Sequence, residues 1–197
     1  KSLHNTFHNA MHGGRLDWNV ANHSELIAYY QNFIQEHPTI TRAYLYLLDN
    51  LIDDGRLNEA KTVLERRSTV IEDCFNDFYR LLIHESTHGF QSTCKEYEIY
   101  LKENQEWQAY FLVAERYASH GEYEEAISLF EKSFELQPKP RYIDQLESIA
   151  QLYLRMHQKN EAKHAYKREL QLLKEEWHQD DSADVQRVKA LLAKCNG

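Results

Sequence analysis

The sequence predicts an all-α chain of stacked helical hairpins, and three observations carry that prediction. Glycine (6) and proline (3) are scarce in 197 residues, while the helix formers Glu, Leu, Ala, Lys and Gln are plentiful. Apolar residues recur at three- and four-residue spacing, as in the stripes Tyr44, Leu47, Leu48, Leu51 and Tyr110, Val113, Ala114, Tyr117. The third observation is an internal recurrence. "DDGRLNEAKTVLE" at 53–65 and "SHGEYEEAISLFE" at 119–131 share a glycine, an alanine five residues later, and an apolar residue four after that.

A further copy, "MHQKNEAKHAYKRE" at 156–169, keeps Ala162 and Tyr166 but carries His157 where the others have glycine. Ala60, Ala126 and Ala162 leave one gap of 66 residues, so a hidden copy belongs near residue 94. "THGFQSTCKEYEIYL" supplies it, with Gly89 at the turn and small Cys94 five residues on, which makes the spacings 34, 32 and 36. Each unit reads as a helix, a short turn, and a second helix whose small residue allows close approach.

In chain order, residues 1–22 read as an N-terminal helix or connector that ends at Gly13-Gly14. A partial unit at 23–40 closes at Pro38, and full units follow at about 41–74, 75–106, 107–140 and 143–176, within a repeat domain spanning 23–178. Residues 180–197 read as a capping helix. Asp180, Asp181 and Ser182 are its N-cap candidates, and Val185, Val188, Leu191 and Leu192 form its apolar stripe. A start at Lys1 rather than Met reads as a segment of a longer protein.

"YLYLLDNLIDDGRLNEAKTVL" at 44–64 and "WQAYFLVAERYASHGEYEEAISLFEKSFELQP" at 107–138 resemble the tetratricopeptide repeat family. The resemblance extends over about 41–176. It is weakest at 75–106, where Glu85 stands at a place that the family usually gives to an aromatic. It implies a right-handed α-α superhelix of about four to five helix-turn-helix repeats with a C-terminal cap, and a concave groove that binds peptides or protein segments. The first helix of each unit lines that groove. Carried onto this chain, the groove comprises Arg42, Leu45 and Asp49, then Asn76, Tyr79 and Ile83, then Gln108, Phe111 and Glu115, and finally Asp144, Gln151 and Arg155. Some family members grip a C-terminal carboxylate with a Lys/Asn/Arg clamp, and the matching positions here are mostly acidic, apolar or amide.

Composition narrows the partners. The formal net charge is −8 with no basic stripe, which argues against nucleic acid. "LERR" at 64–67 and "KREL" at 167–170 read as ordinary solvated helix faces. Apolar runs such as "YLYLL" fall far short of the ~18–20 residues of a membrane span. Three cysteines without CxxC spacing read as reduced thiols, and "KSLHNTFHNAMHGG" is too polar for a signal peptide, so the expected setting is cytoplasmic. The 13 tyrosines suit helix packing and contact surfaces, and self-association through exposed helix faces is part of the expectation.

One motif offers a different chemistry. "LLIHESTHGF" at 81–90 contains an HExxH string, and histidines four apart on a helix can grip zinc while the glutamate activates its water. The alternative function is therefore a small zinc-dependent metallopeptidase similar to gluzincins, with His84 and His88 as ligands, Glu85 as general base, and Glu106 or Glu103 completing the site. Zincins orient substrate on an edge strand, and nothing upstream of His84 reads as strand. The repeat arithmetic also requires a helix over 75–88 and a turn at Gly89 whatever the histidines do. His4, His8 and His12 form a second histidine series at i, i+4 spacing, with no carboxylate or cysteine nearby to finish a site. No nucleophile stands beside a recognisable base, and no glycine-rich phosphate loop is present. The main reading is a non-catalytic protein- or peptide-binding scaffold that needs no cofactor.

Overall fold

The computed structural model describes residues 23–195. Among these residues there are ten α-helices and no strand: α1 (His23–Glu36), α2 (Thr41–Asp53), α3 (Leu57–Ser68), α4 (Cys74–His88), α5 (Phe90–Glu103), α6 (Trp107–Ser119), α7 (Tyr123–Leu136), α8 (Asp144–Arg155), α9 (Lys159–Glu175) and α10 (Ala183–Lys194). The predicted connector at 1–22, with His4, His8 and His12, lies outside the described residues. The chain divides into two compact units, one ending at Glu96 and the other beginning at Tyr97, so the division falls inside α5.

In the first unit α2 packs against α1, α3 and α4, and α3 packs against α4. The stripe foreseen on α2 is its buried face: Tyr44, Leu47, Leu48 and Leu51 are all within 2% of full burial. Ile27, Tyr30 and Ile34 of α1 are equally enclosed. α1 stops at Glu36, two residues before Pro38, because the residue preceding a proline is pushed out of the helical region. The Tyr44 hydroxyl donates to the Pro38 carbonyl at 3.0 Å and pins that corner.

In the second unit α6 to α10 pack each on the next, around a core that includes Ala126, Phe130, Leu146, Ile149, Ala165, Tyr166 and Val188. α7 ends at Leu136, where Gln137 turns to extended backbone ahead of Pro138. At the far end the Ser182 hydroxyl caps α10 by accepting from Val185 N at 3.2 Å, so the third of the three candidates is the cap. Val185 and Val188 are buried and Leu191 and Leu192 are partly buried, as the apolar stripe requires.

The turn residues confirm the repeat and correct its register at one place. Gly55, Gly89 and Gly121 all have positive φ (+73°, +86° and +85°), and His157 takes +60° at the equivalent point. After Gly55, Gly121 and His157 one residue intervenes before the next helix; after Gly89 none does, since α5 starts at Phe90. The fully buried small side chain of α5 is therefore Thr93, four residues past the glycine, and the predicted Cys94 is only half-buried. With Thr93 the register residues fall at 60, 93, 126 and 162, each with no exposed surface.

The two charge-rich strings are the second correction: Glu65, Arg66 and Lys167 are exposed as a solvated face requires, but each string also puts one charge in the interior. Arg67 of "LERR" is 2% exposed, and Glu169 of "KREL" is fully buried. Arg67 donates to both Asp73 oxygens at 2.8 and 2.7 Å and to Asn76 Oδ1. Asp73 also caps α4, accepting from Phe75 N at 3.2 Å. One carboxylate thus starts a helix and neutralises the buried cation of the helix before it.

Candidate functional site

The predicted groove positions lie on α2 and α4 in the first unit and on α6 and α8 in the second. On α2, Arg42 and Asp49 are exposed and Leu45 is half-buried. Tyr79 of α4 crosses to this helix, its hydroxyl donating to Asp49 Oδ1 at 2.5 Å. Asp49 keeps exposed surface yet is crowded by protein atoms. That desolvation is the largest of the causes pushing its carboxyl up to about 6; the Tyr79 hydrogen bond opposes it and Asp53 reinforces it. Tyr79 and Ile83 are themselves buried. Asn76 is fully buried, with its amide oxygen on Arg67 and its amide nitrogen on the Ile71 carbonyl at 2.7 Å, so its polar atoms serve the fold.

In the second unit Gln108 and Phe111 of α6 are half-buried, and Glu115 is exposed. Phe111 packs edge-on against Phe130 of α7, with ring centroids 5.4 Å apart at 67°. On α8, Asp144, Gln151 and Arg155 are exposed. The set therefore combines exposed charge and amide with half-buried and buried apolar side chains.

The HExxH string occupies the end of α4. His84 is half-buried, His88 is exposed, and both line a cavity of about 310 Å³ with Lys61, Leu64, Glu65, Arg80, Ile83 and Thr87. Glu85 is 6% exposed and is not among those lining residues. It occupies the position that Leu51, Tyr117 and Tyr153 hold in the other hairpins, four residues before the turn. Glu106 precedes α6 in the second unit. Among the described residues no group of three or more His, Cys, Asp or Glu side chains is placed to hold a metal ion. The geometry thus separates the general base of the peptidase reading from the face that its histidines share.

Sequence reasoning missed the polar anchors of the second unit. Ser133 donates to the Trp107 carbonyl at 2.7 Å and receives Gln145 Nε2 at 3.1 Å, a buried link from α7 to α6 and α8. Arg141 grips Glu176 through Nη2 at 2.6 Å and its backbone N–H at 2.8 Å, holding that carboxylate below its ordinary range, and Trp177 Nε1 donates to the Arg141 carbonyl at 2.6 Å. Arg168 pairs with Glu131 across one repeat, with one contact at 2.7 Å. The contacts of Arg141 and Arg168 join residues about one repeat apart, a signal that charge pattern within a single helix does not contain.

Hairpins whose turns recur with positive φ define an all-α repeat solenoid. Residues 107–140, α6 and α7 with their closing prolines, belong to the tetratricopeptide repeat family. No curated protein matches the sequence significantly. Among solved structures the fold is similar to TTC0263, a thermophilic TPR protein of Thermus thermophilus, with a TM-score of 0.53, 15% identity, and coverage of 88% of this chain and 90% of that one. It is also similar to the C-terminal part of a TPR repeat-containing protein from Cytophaga hutchinsonii (TM-score 0.53, 12% identity, 88% and 65% covered) and to MamA protein (TM-score 0.50, 19% identity, 81% and 87% covered). At such identities these likenesses establish the fold and nothing finer.

Proposed function

We propose that this chain is a non-catalytic protein- or peptide-binding scaffold, and that the first helices of its hairpins supply the binding surface. The observation that carries the reading is the character of those helices. Their outward residues mix exposed Arg42, Asp49, Glu115, Gln151 and Arg155 with half-buried Leu45, Gln108 and Phe111. Within each unit the hairpin fold holds such residues at fixed spacing on rigid helices, so a bound segment meets a preorganised surface with little ordering cost. A partner with short apolar anchors between polar residues fits this mixture.

The reading places the protein in the cytoplasm, in keeping with three free cysteines. No helix among the described residues is long and apolar enough to cross a membrane. The reading requires neither metal nor cofactor.

Selection from a phage-displayed library of random peptides tests it. Enriched peptides should perturb backbone amide signals of α2 and α4, or of α6 and α8, in spectra of the full chain. Failure to enrich any sequence, or perturbation confined to the second helices α3, α7 and α9, would overturn the proposal.

A further inference from the structure

Trp107, Tyr142 and Trp177 form a row of aromatic rings on the second unit. Trp107 opens α6, Tyr142 stands two residues before α8 and Trp177 two residues after α9, at the helix ends away from the Gly121 and His157 turns. Ring centroids are 5.8 Å apart from Trp107 to Tyr142 and 6.2 Å from Tyr142 to Trp177, with planes tilted by 40° and 43°. Tyr142 is 50% exposed and Trp177 37%, more than any other Phe, Tyr or Trp among the described residues. The row is fixed in place. Tyr142 N–H donates to Gln137 Oε1 at 2.6 Å, and Trp177 Nε1 donates to the Arg141 carbonyl at 2.6 Å. The Arg141 guanidinium lies over the Phe134 ring, 4.2 Å from its centroid, while it grips Glu176. These anchors hold the two most open rings toward water, an arrangement that marks a contact surface.

We propose that this row docks a proline-rich segment in the polyproline II conformation, with an acidic residue at one end. Hydrogen-bond economy selects that occupant. The polar groups that position the rings are spent on one another, so the surface offers ring area, the Tyr142 hydroxyl and little else. A glycan needs many partners for its hydroxyls, and an added strand needs an open backbone edge, which helices lack. A polyproline II helix makes no backbone hydrogen bonds of its own, is already extended, and packs its prolines on aromatic rings. At ~3.1 Å per residue, about two of its residues cover each ring-to-ring step. Tyr142 Oη can donate to one of its carbonyls. Lys139 supplies the charge preference. It is exposed, and its contact with Glu176 is a long 4.0 Å to a carboxylate that Arg141 already holds at 2.6 Å, so its ammonium is available to an acidic residue. None of the proposed groove residues is needed, so failure here leaves the groove reading standing.

Titration of the full chain with a synthetic peptide of eight prolines followed by two glutamates, read through tryptophan indole signals, tests the proposal. The Trp107 and Trp177 signals should shift together and saturate. The same peptide with alanine for proline should produce no shift. Tyr142→Ala, at an exposed ring outside the core, should weaken binding by about tenfold or more. Lys139→Glu should weaken it by about threefold or more for the glutamate-ended peptide and leave an uncharged polyproline unaffected. Indole signals unmoved at millimolar peptide, or equal binding of the alanine peptide, would overturn the proposal. So would shifts produced by cellohexaose instead, or by raising the concentration of the chain alone, which would assign the row to a glycan or to a second copy. The indole signals of the unmodified chain decide this without relying on any variant to fold.

Discussion

Arg187 on α10 donates to buried Glu169 on α9 at 3.1 Å, and its other terminal nitrogen donates to Glu147 on α8 at 2.7 Å. One guanidinium therefore ties the last helix to both helices of the preceding hairpin, in addition to the apolar contact of Val185 and Val188. Arg187→Ala removes that tie and leaves α10 held by apolar packing alone. Amide hydrogen exchange over Val185–Leu192 should accelerate by about tenfold or more, equivalent to ~1.4 kcal/mol of local stability. Unchanged protection would show that the Arg187 hydrogen bonds contribute nothing to docking.

Glu169 also makes stability depend on pH. Burial is the largest cause raising its carboxyl to about 8, Glu147 adds to the rise, and Arg187 opposes it. The folded protein thus holds a proton that the unfolded chain releases near its ordinary carboxylate pKa. The associated stability is complete below that value and is lost as pH rises through about 8. Asp49, raised to about 6, acts in the same direction over a lower range. Urea denaturation should show stability falling from pH 5 to pH 9, with a slope from Glu169 of at most ~1.4 kcal/mol per pH unit. Glu169→Gln should flatten the upper part of that profile.

At His157 the conformation that suits glycine is held by a residue with a Cβ. Its φ of +60° matches the turns at Gly55, Gly89 and Gly121. His157→Gly relieves the left-handed strain and should raise stability by ~0.5–1 kcal/mol, after the entropic cost of glycine is counted. The reciprocal change Gly121→Ala should lower it by ~1–2 kcal/mol, although a Cβ there meets no atom within 4 Å. Equal melting of His157→Gly and the unmodified protein would mean that the neighbouring structure has already absorbed the strain.

Asp73 is the counterion of a cation that water does not reach. Asp73→Ala strands Arg67 in the interior and removes the cap of α4, so the loss should be ~3–5 kcal/mol. Asp77→Ala, which removes the partner of exposed Arg80 on the same helix, should cost less than ~1 kcal/mol. Chemical denaturation of both variants checks the contrast.

The hairpins were legible because glycine turns and small residues repeat, and the arithmetic located even the degenerate unit around Gly89. It misassigned one residue there, Cys94 for Thr93, because a shortened connection moves the register by one and leaves no mark in composition. Arg67 and Glu169 were unreadable for a different reason. Whether a charge is solvated depends on partners in the next repeat, such as Asn76 or Arg187, and a single-helix pattern does not include them. The groove residues were named through resemblance to a family. Asn76 shows the limit of that transfer, since a residue on the expected helix spends its polar atoms on Arg67. The HExxH histidines do share a face, but Glu85 turns inward to a position that other hairpins fill with Leu51, Tyr117 and Tyr153.

Calorimetry with a library-selected peptide tests the scaffold reading most directly. Arg42→Glu and Arg155→Glu reverse exposed charges on α2 and α8 without disturbing buried contacts, and Lys132→Glu makes a like change on α7. The account predicts that at least one of the first two weakens peptide affinity by about tenfold while Lys132→Glu leaves it unchanged. Affinity indifferent to Arg42 and Arg155, or lost only with Lys132, would contradict it.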